Sequence, residues 1–579
     1  MQKNWIFLAF LTAAVPAHAF AGMSEYVTAQ SKDLPFPKSI ELKVEFWKAI
    51  YTKYSVRQGI IHDSEDLSVI YDAVQLPKQN EMGAVNRVRH EIREAIFNIL
   101  RKKGQNLTTF ERQLLTKFPP GVTRARLMRA TENIRFQRGQ SDRFKEGITR
   151  SGYYMKHIEK ILKEEGVPDF VKFLPHVESS FQEYAISKFE AAGLWQLMPA
   201  TGRMFLRVEY VIDERLDPWI ATRAAARHLK RDLKMLGVWP LALTAYNHGP
   251  GGVLRAVKTL GTKDIGEIAF NYESPSFGFA SRNFYVQFLA AVEVASNYQR
   301  YFGEIPIRKS LEFEVASIDR PIFLSEFAKK YEFNMDDFRK LNPGLRSPIL
   351  QNKRPIPVGL IIRVPPNSKR QILVASLDRN IGKSLRAEPK LPQPSELKPA
   401  LTEKELAKKV LTPSVGSISN SRYAAKDVVD GRGWIQVEIN ETVTQVADWL
   451  NVPVEQLRDW NGMDSQGQIQ QGQKVLLKFS GTSASEFQQA REDYHTQIRE
   501  DFFIRYDVAK TIEYKVKRGE NLWSLCYQKF DVPPWLLAEY NPKVDLAKIA
   551  PGVNLKVPVL LEKEFLSVSA ATEAGALAE

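Results

Sequence analysis

One glutamate stands alone in a run of apolar and small residues. In FLPHVESSFQEYAISKFEAAGLWQLMPATG, residues 173–202, Glu178 follows Leu-Pro-His-Val and precedes Ser-Ser-Phe. A carboxyl group can deliver a proton to a leaving oxygen at neutral pH only where burial has raised its pKa. Leu174, Phe181 and Trp195 are the apolar neighbours that would desolvate it. Taken alone, such a glutamate is more simply a charge at a helix end. Cleaving a glycosidic bond by paired carboxylates would need a second acid. Glu183, Glu190, Asp213, Glu214 and Asp217 lie nearby, but none falls in a motif. Other chemistries have no footing in the sequence. The eight histidines form no H-E-x-x-H, the single cysteine pairs with none of them, and no glycine loop cradles phosphate. No metal and no cofactor are therefore expected. Ser179 lacks the G-x-S-x-G context of a hydrolase nucleophile. His176 and His248 flank the motifs and read as structural.

Four motifs in order change the weight on Glu178. VESSF (177–181) is followed by Ser187, GLWQLMPATG (193–202), ALTAYNHG (242–249) and NFYVQFLAA (283–291). Together with the approach segment IRFQRGQSDRFKEGITRSGYY (134–154), they resemble the lytic murein transglycosylase D family, whose catalytic domain has a goose-lysozyme-like fold. The resemblance implies that Glu178 is the catalytic acid and later the base. It implies that the C6 hydroxyl of N-acetylmuramic acid attacks its own C1 and leaves a 1,6-anhydro end. An internal nucleophile has a high effective molarity, so one acid would suffice. By the same resemblance Ser179, Ser187, Gln196, Met198, Tyr246, Asn247 and Tyr285 contact or orient the sugar. The chain departs from the family at SRNF (281–284), ahead of Tyr285, where relatives often carry Glu-Thr.

The elements that must carry these residues are helical. NEMGAVNRVRHEIREAIFNILRKKG (80–104) has helical apolar spacing and stops at a glycine. Tyr154, Ile158, Ile161 and Leu162 share one helix face. Asp217-Pro218 caps a helix with Ala225, Leu229, Leu233 and Leu236 in line, closed by Gly237. A short helix at ALTAYNH should end in a glycine turn, Gly249 to Gly252. A last helix should carry Phe284, Phe288, Val292 and Ala295 as a stripe.

Beyond residue 310 a gapless repeat appears three times. Ser325, Thr444 and Ser524 each precede Asn342, Asn461 and Asn541 by 17 residues; Phe333, Val452 and Val532 do so by nine, and Phe338, Leu457 and Leu537 by four. Each copy closes on a strand, LIIRVP, KVLLKF or NLKVPV, so three copies of one small βααβ fold are expected. The copies resemble LysM modules, which bind N-acetylglucosamine-containing glycans. The third is nearest the pattern, which implies Gly519, Glu520, Asn521, Asn541 and Pro542 as its glycan-binding residues; the first two are degenerate, and sugar binding by them stays open.

The expected chain is therefore multidomain, a mainly α lysozyme-like domain followed by three α+β modules. Residues 1–21 read as a secretory signal: Lys3, an apolar run from Trp5 to Val15, and small-residue cleavage sites after Ala19 or Ala21. The run is too short to span a bilayer. A helical region (22–164), the catalytic domain (165–302), module 1 (311–366), a Lys/Pro/Ser-rich linker (367–433), module 2 (434–479), a connecting helix (480–511), module 3 (512–560) and a tail (561–579) follow. Cys526, the one cysteine, is no lipid-attachment site at the N-terminus and reads as a small core residue. A net charge of +14 without a block of five Lys/Arg argues against nucleic acid and for an acidic polymer. The expected partner is peptidoglycan glycan in the periplasm or envelope, with peripheral attachment at most; oligomeric state is not set by the sequence. Two other readings stay open: a hydrolytic muramidase on the same fold, and a wall-binding protein without turnover.

Overall fold

The computed structural model describes residues 26, 29–30, 32–78, 81–209, 211–274, 277–366, 423, 425–429, 431–463, 467, 469–480, 482–522, 524–546 and 549–562. The signal segment, most of the linker and nearly all of the tail lie outside them. The chain forms two compact units, Met1–Gln182 with Thr222–Leu311, and Glu183–Ala221 with Glu312–Glu579.

In the first unit, α1 (Glu41–Thr52) leads into an antiparallel sheet of β1 (Gln58–Asp63), β2 (Ile70–Gln75) and, after α2 (Glu81–Arg101), β3 (Ile134–Arg138). β1 is central, pairing Ile61 with Asp72 on one side and with Phe136 on the other. The stripe Val85, Ile92, Ile96 and Ile99 of α2 is buried against Ile61, Val69 and Ile134. Helices α3 (Ser141–Ser151), α4 (Leu174–Glu178), α5 (Pro218–Leu236, in this unit from Thr222 on), α6 (Trp239–His248) and α7 (Phe279–Ser296) follow. α7 is apolar nearly all round, not along one stripe, and buries 13 residues as a central helix should. α1, α4 and α6 all pack on it. Asp217 caps α5 as expected, accepting the N–H groups of Trp219 and Ile220 at 3.1 and 3.0 Å.

The glycine turn expected at 249–252 is shorter than that. Only Gly249 (φ +88°) turns; Pro250 starts a further helix, Pro250–Leu260, that contains Gly251 and Gly252. Proline favours the first helical turn, where its missing N–H removes nothing.

In the second unit three βααβ units recur among the described residues. The first runs from β4 (Glu314–Ser317) through helices Leu324–Tyr331 and Met335–Leu341 to β5 (Ile361–Val364), antiparallel to β4. The second has an extra strand. β6 (Lys426–Val429) pairs with β7 (Arg432–Gln436), which pairs with β8 (Lys474–Lys478). β6 lies inside the segment read as linker; Val428, Val429 and the left-handed Gly431 supply a strand and a tight turn that its neighbouring lysines obscured. Helix α8 (Ala484–Arg505), opened by a Ser483/Glu486 capping box, buries Phe487, Tyr494, Ile498 and Phe502. The third unit pairs β9 (Tyr506–Lys515) with β10 (Asn554–Glu562) and replaces its first helix by a π-helical turn, Ser524–Phe530. β9 thus begins within the segment read as connector.

The repeat spacing has a structural cause. Phe338, Leu457 and Leu537 are each fully buried in their own unit. Each repeated asparagine stitches a helix end to the closing strand. Asn342 Nδ2 donates to Phe338 O and Arg363 O, and its Oδ1 accepts Arg363 N–H; Asn461 does the same with Leu457 and Leu476, and Asn541 with Leu537 and Lys556. Cys526 is buried, as expected, and burial lifts its thiol to about 12. Among the described residues no helix is long and apolar enough to cross a membrane.

Candidate active site

Glu178 is the last residue of α4, a single turn with proline at its second position. The chain then makes a strained bend. Ser180 (φ +50°) and Phe181 (φ +58°) both occupy the left-handed region, at about 1–3 kcal/mol each for residues with a Cβ. The surroundings hold the bend in place. Arg150 on α3 donates from Nε and Nη2 to Ser180 O at 3.2 and 2.8 Å. Gly147 lies against the same carbonyl, where a Cβ would sit 3.0 Å from the oxygen. Phe181 is fully buried, and its ring meets that of His176 edge-on at 4.6 Å. His176 stacks on Phe144 at 4.9 Å, and Phe144 stacks on Tyr51 at 4.7 Å. Burial lowers His176 to about 3, so it is a neutral packing residue.

Glu178 retains some solvent access, yet protein atoms crowd its carboxyl group and push its pKa up to about 8 through desolvation. Two phenols lie within range of its charge. Tyr246 on α6 is held well above its ordinary pKa by burial, then by the charges of Glu178 and Asp232. Tyr51 on α1 is raised by burial and by Glu178. Both stay protonated and can donate. α1, α4 and α6 bring Tyr51, Glu178 and Tyr246 together because each packs on α7. A protonated carboxyl flanked by neutral phenols can deliver a proton near neutrality and take one back.

Behind Tyr246 lies a pair that the apolar spacing of α5 concealed. His228 is 5.3 Å from the Tyr246 ring, centroid to centroid, and its Nε2 is 3.6 Å from Asp232 Oδ2. Asp232 is wholly buried, and burial lifts it to about 6 despite Arg231. Sequence reading also passed over Arg150, Gly147 and Tyr51. The signal available for Arg150 and Gly147 was their place in the motif-like approach segment.

Other expected residues of this unit are placed as follows. Ser179 Oγ donates to Pro175 O at 3.3 Å, and Asn247 Oδ1 accepts from Ser281 at 3.5 Å. Tyr285 is turned inward, 2% exposed, with its hydroxyl donating to Pro35 O at 2.7 Å.

Ser187, Gln196 and Met198 belong to the second unit. There, residues 185–198 fold into a tight loop. Ser187 Oγ accepts the N–H groups of Phe189 and Ala191, and Gln196 Nε2 donates to Ala185 O and Gly193 O at 3.1 and 2.8 Å. Gly193 (φ +76°) permits the fold, since a Cβ would lie 1.9 Å from Arg215 O. Met198 is 45% exposed and the fully buried Trp195 anchors the loop.

In the third βααβ unit, Gly519, Asn521 and Pro542 are exposed. Glu520 turns onto its own unit, taking bonds from Lys529 Nζ at 2.5 Å, Tyr514 and Lys517 N–H; burial opposes its charge, but these donors hold it well below the usual range. Asn541, expected at the sugar, is 6% exposed and fully engaged in the strand stitch, so the structure gives it a folding task instead. Among the described residues no group of three or more His, Cys, Asp or Glu could hold a metal ion.

Residues 155–269 match the Transglycosylase SLT domain family, and residues 435–478 and 514–558 match the LysM domain family. The chain therefore carries a helical SLT-type catalytic domain together with LysM domains. It is homologous to membrane-bound lytic murein transglycosylase D of Escherichia coli, 23% identical over 413 residues that cover 70% of this chain and 76% of that protein. Solved structures that resemble it include an inactive mutant of the lytic transglycosylase Slt from Pseudomonas aeruginosa (16% identity, TM-score 0.22, 50% of this chain and 39% of that one). Another is the 70 kDa soluble lytic transglycosylase from Escherichia coli (14% identity, TM-score 0.23, 49% of this chain and 55% of that one). The chain thus spans only part of the solved chains.

Proposed function

We propose that this chain is an exported lytic transglycosylase that cuts the bond between N-acetylmuramic acid and N-acetylglucosamine in peptidoglycan and leaves 1,6-anhydro ends. The observation that carries the reading is Glu178, a carboxyl group held near 8 just ahead of a strained bend and within range of two neutral phenols. Glu178 protonates the leaving oxygen, then accepts the proton of the C6 hydroxyl as it closes on C1. Tyr246 orients the carboxyl group, while Ser179 and Asn247 line its surroundings. Ser187, Gln196 and Met198 serve the sugar from their loop. The modules at 435–478 and 514–558 hold glycan strands, and Gly519, Asn521 and Pro542 are the exposed candidates in the latter. The segment at residues 1–21 directs export, and the enzyme works in the periplasm or envelope.

The test is mass analysis of the products released from purified peptidoglycan, with Glu178→Gln alongside. Anhydro-ended muropeptides from the unaltered chain and none from the variant are expected. Products heavier by one water would make it a muramidase. A protein that pellets on the wall and releases nothing would be a binder.

A further inference from the structure

The second unit contains a chain of buried charges that neither the motifs nor the proposed chemistry uses. It begins on β5 of the first βααβ unit. Arg363 is 5% exposed and donates through Nη1 to Asp217 Oδ2, while its guanidinium lies 4.3 Å over the Trp219 ring and 5.5 Å over Phe313. The Asn342 stitch fixes the backbone of Arg363 on both sides. The other carboxylate oxygen of Asp217 caps α5.

The next links lie a few residues upstream. Asp213 is wholly buried and accepts both Nε and Nη2 of Arg215 at 2.9 and 2.7 Å, with Arg346 Nη1 at 4.0 Å. Burial opposes its ionisation, but Arg215 and Arg346 outweigh that and keep it charged. Arg215 Nη1 donates to Glu190 O at 2.6 Å and Leu197 O at 3.1 Å, the two ends of the loop that contains Gln196.

Backbone pairing joins the same pieces. Ile212 bridges Leu345, Asp213 N–H donates to Gly344 O at 2.8 Å, and Arg346 N–H to Val211 O at 3.1 Å. A Cβ at Gly344 would come 3.0 Å from Asp213 O, so glycine allows the approach. Ile212 also sits in the apolar core of the first βααβ unit with Phe327, Phe338 and Ile349. The long connection between Asn342 and β5 is therefore covered by residues 211–213 of the same chain.

We propose that the first βααβ unit is the anchor of the Ser187–Met198 loop, with Arg363 as a positioning residue, and that it does not serve as a glycan-binding module. This rests on the proposed function, in which that loop serves the sugar. Arg363 holds Asp217, which closes the Glu214–Leu216 turn through its N–H to Glu214 O at 3.2 Å and so carries the clamp to Arg215. Gly344 and Arg346 hold Asp213, which aims Arg215 at the loop.

The experiment uses the full chain and three variants: Asp217→Asn, Arg363→Met and Arg363→Lys. Asparagine keeps the capping oxygen and loses the charge; methionine keeps the stem and loses the charge. Steady-state turnover of purified peptidoglycan, pelleting on insoluble wall, and amide exchange resolved by segment are read together. Asp217→Asn and Arg363→Met are expected to lower kcat about tenfold with little change in KM, because positioning is lost while wall binding remains. Amide exchange over residues 190–197 should speed up about tenfold, with residues 435–478 and 514–558 unchanged. Arg363→Lys should recover part of the turnover and of the protection. Unchanged kinetics and loop exchange in folded Asp217→Asn would overturn the proposal, as would lost pelleting with an undisturbed loop, which would make the first unit a sugar binder. If Arg363→Met does not fold, Asp217→Asn decides. Absence of turnover in the unaltered chain would defeat the proposed function alone, and loop exchange would still settle the anchor.

Discussion

Replacing Glu178 by glutamine keeps the side chain's size and removes its titration, which isolates the effect of burial. A glutamate ordinarily ionises near 4.5, and Glu178 in the folded chain near 8. That gap corresponds to about 5 kcal/mol in favour of the neutral form. The sign follows from linkage. Because the folded pKa is raised, the glutamate form has its full stability below about 4.5 and loses it as pH climbs toward 8, where the loss is complete. The glutamine form does not titrate at this position. The stability of Glu178→Gln relative to the unaltered chain should therefore open by about 5 kcal/mol between about pH 4.5 and 8 and be level outside that window. The measurement is native-state amide exchange of the slowest amides of α7, which reports the first unit by itself. Turnover by the unaltered chain should fall tenfold per pH unit above about 8, as the acid form is lost. Turnover by the variant should be lower by roughly 10²–10⁴-fold. A stability difference that stays flat from about pH 4 to 9, or opens in the other direction, would show a carboxyl group that ionises normally and would refute the reasoning.

Three further outcomes are expected. Arg150→Ala removes both donors from Ser180 O, and turnover should fall about tenfold to a hundredfold with a loss of about 2 kcal/mol in the first unit, read by kinetics and amide exchange. Gly193→Ala places a Cβ against Arg215 O at a left-handed position and should destabilise the second unit by about 3 kcal/mol, seen as a lower unfolding midpoint in urea. Asn541→Ala breaks three internal hydrogen bonds and should destabilise the third βααβ unit by about 3 kcal/mol, while wall binding measured at low temperature stays close to normal.

Periodicity and repetition were legible in the sequence. The stripe of α2, the cap at Asp217 and the gapless spacing of the βααβ units each have one local cause, and each was read correctly from it. Glu178 was singled out by four motifs in order around it; alone, a charge in an apolar run reads as a helix end. The supports of the site were not legible, since they come from residues far apart in the chain. Arg150 meets Ser180 across 30 residues and Arg363 meets Asp217 across 146. Asp232 was hidden for a different reason: helical spacing identifies a buried face from its leucines and is silent about a carboxylate among them. At Asn541 recurrence marks a shared fold as readily as a shared ligand, and the side chain is bonded to its own closing strand. Here the recurrence belongs to the backbone stitch.

That stitch has a consequence for how such units diverge. The asparagine supplies a donor and an acceptor to the closing strand as a neighbouring backbone would, so the strand is placed without help from the loop that leads to it. The intervening stretch is then free to vary in length, although it still gives the core Leu345, Ile349 and Ile356 in the first unit, Ile469 in the second and Leu546 in the third. From the asparagine to its strand partner the separation is 15 residues in the second and third units and 21 in the first. In the first unit the longer segment packs Leu345, Ile349 and Ile356 into the core and also meets Ile212 and Asp213. A duplicated unit can thus exchange ligand capture for a purely internal service by lengthening one segment. An engineer could use the same place to splice in a different recognition loop.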